Sequence, residues 1–163
     1  MRYVLVDRIT ALEPGRTLTA IKNVSVSDDL VQRVAPGISA LPASMLLEAM
    51  AQAAGLLVVA SISTPAQPVL AKVQPFTAHA DATVGDQVEL HAELRDLRPE
   101  GARADVRAIV DGTAIAEAVI YLGLIPFDGE AGAERTALMR ERLADTFPGW
   151  FQLAVSVFRG PRM

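Results

Sequence analysis

The sequence predicts an α+β domain in which one long buried helix is wrapped by a curved antiparallel sheet. Three observations carry this reading. Residues 41–61, LPASMLLEAMAQAAGLLVVAS, are apolar on nearly every side, which suits a helix enclosed by other elements rather than laid on a surface. The segments before and after it alternate apolar and polar residues, the period of half-buried strands. Turn signals at Pro14-Gly15 and Asp111-Gly112 join neighbouring segments in pairs, as antiparallel ladders require.

The helix is expected to start at Pro42 and end at Ser61, and to be too short and too polar to span a bilayer. Glu48 and Gln52 stand four apart and share one face of it. A carboxyl inside an apolar helix is costly unless partnered or useful, so Glu48 is the leading candidate for chemistry and is expected to be buried. Its competing reading is a group kept to bind loop amides. For Gln52 the supporting role comes first, since a buried amide usually satisfies nearby backbone groups.

With 163 residues and 51% hydrophobic side chains, the chain can bury a substantial single core. A net charge of -4 without a run of Lys or Arg argues against nucleic acid or an anionic membrane as partner. The sequence has no Cys, which excludes disulfides, thiol nucleophiles and thiolate metal sites; His79 and His91 stand too isolated to make a metal cluster. Charges interrupt the opening MRYVLVDR, so it lacks the apolar core of a signal peptide and a cytoplasmic location is the expectation.

In order along the chain, residues 3–13 read as a first strand and 17–26 as its hairpin partner. Residues 30–43 hold Pro36-Gly37 and Pro42 and read as an irregular loop feeding the helix. Pro65 and Pro68 delimit a linker, and 69–78 form a strand with Pro75 marking an edge or bulge. Residues 87–95, 102–110 and 113–125 form a meander, with His91 and the charged residues on the solvent face. Residues 1–127 thus make one domain. Residues 128–163 read as a C-terminal helix, 134–147, and a strand-like arm, both packed on the sheet, with a docking arm for another subunit or a partner as the alternative.

The run LVDRITALEPGRTLTAIKNVSV, followed by PGISALPASMLLEAMAQAAG, VGDQVEL and VDGTAIAEA, resembles the β-hydroxyacyl-acyl carrier protein dehydratase family of the hotdog fold, over about residues 3–125. The resemblance implies a homodimer or an assembly of dimers, an acyl thioester of acyl carrier protein or coenzyme A in a tunnel at the subunit interface, fatty acid or polyketide-type synthesis, and no cofactor or metal. Family loops read Gly-His-Phe-Pro-Gly, Met-Pro-Gly and Glu-Ala-x-Ala-Gln. Pro36-Gly37, Pro42 and the helix residues Glu48 and Gln52 match; Arg33, Val34 and Ala35 do not, so Val34 occupies the position of the catalytic His. The Gly that opens the family helix is Ala43, whose N–H can still meet a thioester carbonyl.

The family's dehydration takes the proton next to the carbonyl with His and protonates the departing hydroxyl with Glu or Asp across the dimer interface. Glu48 can serve as the acid, because burial raises a carboxyl pKa. Val34 cannot serve as the base, and losing a general base costs about 10² to 10⁴ in rate. Arg33 stays protonated and is a poor base; it suits either the pocket mouth, against a phosphate of the carrier arm, or an ordinary surface role. With Val34, Gly37, Ala43 and Gln52 it makes up the expected substrate-binding set around Glu48. Three readings follow: an acyl-thioester-binding protein with dehydration weakened or lost, which alone or beside an active homologue keeps the scaffold; a thioesterase in which Glu48 activates water or attacks the carbonyl; and an active dehydratase with a relocated base, His79 being the first to examine, against a plain strand-end role.

Overall fold

The computed structural model describes residues 4–64 and 66–127, and of the remainder residues 134, 138, 141, 145 and 146. Strands β1 (Arg8–Glu13) and β2 (Thr17–Asn23) form the first hairpin, and β3 (Gln32–Ala35) and β4 (Ile38–Leu41) a second, smaller one. The helix α1 (Ala43–Ser61) is followed by β5 (Ala66–Ala78), the short β6 (Ala82–Thr83), and the meander β7 (Gln87–Arg98), β8 (Gly101–Val110) and β9 (Thr113–Pro126). Six strands make one antiparallel sheet in the order β1-β2-β7-β8-β9-β5; β3-β4-β6 form a separate three-stranded sheet. Among residues 4–127 as described, one long helix lies against a curved antiparallel sheet, the hotdog arrangement expected from the sequence.

The helix sits on the sheet because the strands offer it small and branched residues at every second position. Leu46, Ala49, Met50, Ala53, Leu57 and Ala60 are wholly buried in one core with Leu18 and Ala20 of β2, Leu90 and Ala92 of β7, Val106 and Ala108 of β8, and Ala116 and Ile120 of β9. The alanines let the helix approach closely, while each buried leucine such as Leu57 contributes about 1.5–3 kcal/mol. By length and hydropathy α1 is able to cross a membrane, contrary to the sequence expectation. Its position comes from burial instead, since it is the core helix of this sheet.

Pro42 takes the N-cap and Ile62 turns extended after the last turn. Ser61 Oγ donates to Leu57 O at 2.6 Å and accepts from Gly15 N at 2.8 Å, so the helix end and the β1–β2 turn are tied together. At the β8–β9 turn Asp111 and Gly112 both have positive φ, 50° and 78°, the geometry that a two-residue hairpin of this hand needs.

Residues 30–43 differ from the expected loop. Gln32–Ala35 and Ile38–Leu41 pair as a hairpin across Pro36-Gly37, with Gly37 at φ 74°, and β4 joins β6 through Ala40↔Thr83 and Leu41↔Ala82. The linker expected before residue 69 is strand from Ala66, and Pro68 is accommodated because β5 lies at the sheet edge. In the C-terminal region Glu134, Leu138, Glu141, Asp145 and Thr146 are helical and exposed. The rest of the expected helix and the arm after it lie outside the described residues.

Candidate active site

Glu48 and Gln52 stand one turn apart on the N-terminal half of α1, on its least covered face. Ser44 and Glu48 are exposed on this face, and Gln52 and Gly55 are half-buried. The expectation of a buried Glu48 is therefore corrected: the sheet covers the opposite side of the helix, where Ala49, Met50 and Ala53 point, and the chain leaves the carboxylate uncovered. Gln52 lies between this carboxylate and the N-terminal segment. Its Nε2 donates to Glu48 Oε1 at 3.1 Å and its Oε1 accepts from Leu5 N at 2.9 Å.

At the helix N-terminus, Met45 and Leu46 both donate their N–H to Pro42 O, and Pro42 provides no side-chain cap. The N–H groups of Ala43 and Ser44 precede the first intrahelical bonds and sit on exposed residues, available to an acceptor from outside. The β3–β4 hairpin leads directly into this turn. It carries Arg33, Gly37, Val34 at 49% exposure and Ile38 at 47%, all open to solvent. Two large apolar side chains are thus half exposed on a hairpin of two four-residue strands.

His79 does not join this group. It follows β5, half exposed, with Nε2 3.7 Å from Glu117 Oε2. Glu117 alternates with the buried Ala116 and Ala118, so it and His79 belong to the face of the sheet turned away from α1. His91 lies between Thr19 and Arg107 across the strands, on that same outer face. The strand charges beside it pair among themselves, as in Arg95 Nε to Asp105 Oδ2 at 2.8 Å.

One buried charge escaped the sequence reading. Lys22 is 7% exposed, with Nζ 2.8 Å from Asp28 Oδ2 and 3.9 Å from Asp7 Oδ1. The signal was present in TLTAIKN, where Lys22 has the same parity as the inward-facing Leu18 and Ala20. Donation from Lys22 holds the Asp28 carboxyl below the usual aspartate range, against the opposing effect of burial and with help from the Leu30 N–H.

Comparison with known proteins places the chain in a family. Over 121 residues the chain is 34% identical to the 3-hydroxyacyl-[acyl-carrier-protein] dehydratase FabZ of Nitratidesulfovibrio vulgaris, covering 72% of this chain and 79% of that one. The enzyme of the same description from Listeria monocytogenes is 31% identical over 123 residues, 75% of this chain and 85% of the relative. Among solved structures, a Streptococcus mutans protein bound to acetyl CoA superposes with a TM-score of 0.63 at 13% identity, over 77% of this chain and 94% of that one. A thioesterase from Haemophilus influenzae gives 0.62 at 12% identity, over 75% and 80%. At such identities these two bear on the fold alone. Residues 1–119 match the FabA-like domain, and the chain belongs to that family.

Proposed function

We propose that the protein binds an acyl thioester, carried by acyl carrier protein or coenzyme A, at the face formed by Glu48, the helix N-terminus and the β3–β4 hairpin, and that ordinary dehydration there is weakened or lost. What supports this reading is a kept acid, Glu48, together with Val34 in the position that the sequence resemblance assigns to the family's His. The relatives named as 3-hydroxyacyl dehydratases support the substrate class.

In this reading the thioester carbonyl accepts from Ala43 N–H, Gln52 holds Glu48 in place, Gly37 gives the hairpin its turn and Arg33 meets a phosphate of the carrier arm. Dehydration breaks a C–H bond next to the carbonyl and a C–O bond at the next carbon. Glu48 can give its proton to the departing hydroxyl, but Val34 has no lone pair with which to accept the other.

The same reading needs a second subunit. A carboxyl that donates near neutral pH has to be desolvated, and in the single chain Glu48 is exposed. The edge strand β5 is long, with Leu70 at 49% exposure, whereas the other edge, β1, is short and carries Arg8 and Glu13. Pairing of two copies along β5 covers apolar surface and closes the open ladder, and so is favoured over pairing through β1.

A thioesterase is the second reading, favoured by the exposed carboxylate beside uncommitted helix N–H groups. Glu48 takes a proton from water, the hydroxide oxygen attacks the carbonyl carbon, the C–S bond breaks and the thiolate recovers the proton. One experiment separates the readings: incubation with a 3-hydroxyacyl thioester and with an acyl thioester, following enoyl formation and thiol release together. Binding without either product supports the first reading, and thiol release the second. Enoyl formation at ordinary enzymatic rates overturns both and requires a base other than residue 34.

A further inference from the structure

The loop that delivers the β3–β4 hairpin is fastened to the main sheet by an ion pair whose cation is buried. Lys22 extends from β2 on the inward parity and is the buried charged residue among the described residues. An ammonium in that position is expensive unless paired and hydrogen-bonded. Its partner Asp28 is itself largely covered, at 14% side-chain exposure, and lies on the segment between β2 and β3.

Asp28 also organises that segment. Its Oδ1 accepts from Leu30 N at 3.1 Å, its N–H donates to Ser25 O at 3.1 Å, and its carbonyl accepts from Val31 N at 3.0 Å. β3 starts directly afterwards, at Gln32. At its other end the hairpin is held by the two β4–β6 pairs, and β6 by Asp86, whose Oδ2 accepts from Thr83 N and Oγ1 at 2.7 and 2.9 Å. The hairpin is thus suspended between two attachments, and in the first of them the ion pair acts beside Leu30 and Val31, which pack against the core.

We infer that Lys22 and Asp28 are positioning residues that fix the β3–β4 hairpin, with Arg33, Val34 and Gly37, relative to the helix. The inference draws its functional meaning from the proposed site, but its test does not require substrate. Hydrogen exchange followed by mass spectrometry on the full-length protein compares Lys22→Met, Asp28→Asn and a core control, Leu57→Ala.

Lys22→Met and Asp28→Asn each raise exchange in residues 24–41 by on the order of tenfold to a hundredfold, while residues 43–61 keep their native protection. Leu57→Ala raises exchange throughout. The double variant is no worse than the more severe single one, as for two halves of one interaction. A uniform rise in the Asp28→Asn protein, unchanged exchange in residues 24–41, or strictly additive effects overturns the inference. Asp28→Asn keeps the side-chain shape and carries the test if Lys22→Met does not fold. The expected regional rise in the two variants, together with failure of the unmutated protein to bind an acyl thioester, counts against the proposed site and leaves the clamp intact.

Discussion

Gln52 connects the exposed carboxylate of the core helix to the start of the chain: it donates to Glu48 Oε1 at 3.1 Å and accepts from Leu5 N at 2.9 Å. Leu5 is 2% exposed, so its N–H has little access to water if the amide is removed. Gln52→Leu is therefore expected to destabilise the protein by about 1–3 kcal/mol, the cost of leaving a buried donor unsatisfied. Denaturant unfolding checks this, and a loss smaller than about 0.5 kcal/mol would show that solvent or another group replaces the amide.

The second prediction concerns assembly. If two copies pair along β5, light scattering at micromolar concentration gives twice the chain mass or a multiple of it. Leu70→Glu, which places a charge on that edge, gives a folded monomer. A wild-type monomer would remove the subunit proposed to cover Glu48, and with it the desolvation that an acid near neutral pH requires.

The third follows from Asp28. Its folded carboxyl lies below the ordinary aspartate range, first because Lys22 donates to it. A carboxyl depressed on folding contributes stability that is fully present above its unfolded pKa and is lost as pH falls through its folded value. Asp28→Asn should thus cost about 1–3 kcal/mol at neutral pH and progressively less in strong acid, where the wild-type pair is also broken. Unfolding curves across pH test the sign. A difference that stays constant from neutral to acid pH would mean that the carboxylate charge does not carry the effect.

The legibility of this chain in its sequence follows the same physics. The helix could be placed at residues 42–61, within one residue of its observed start at Ala43, because its apolar run is long and Pro42 marks its beginning, and the β8–β9 turn because Asp111-Gly112 meets a strict backbone requirement. The β3–β4 hairpin could not, since its strands are four residues long and β3 is mostly exposed, so no alternation shows. Exposure of Glu48 was hidden for another reason: an apolar helix sequence does not say which stripe the sheet leaves uncovered. Lys22 is readable from strand parity, which it shares with the inward-facing Leu18 and Ala20.

The sharpest prediction returns to position 34. Val34 stands in a hairpin that keeps Pro36-Gly37 and runs through Pro42 into the helix bearing Glu48, and at 49% exposure it has room for a larger side chain. If the missing imidazole is what limits dehydration, Val34→His should raise the rate of enoyl formation from a 3-hydroxyacyl thioester, with a ceiling of about 10² to 10⁴. Glu48→Gln should abolish whatever chemistry the native protein has while leaving its melting temperature close to unchanged, because an exposed carboxylate contributes little to folding. The imidazole also needs support, and in the register proposed from the sequence resemblance Arg33 and Ala35 take the places of a Gly and a Phe, so the variant that adds Arg33→Gly and Ala35→Phe is the stronger test of its rotamer. Absence of enoyl product even in that triple variant would mean that the pocket has diverged beyond its lost base. A native enzyme that already dehydrates rapidly would overturn the proposal itself. In that case His79→Ala would be informative in the assembled protein, since within one chain His79 faces away from the helix.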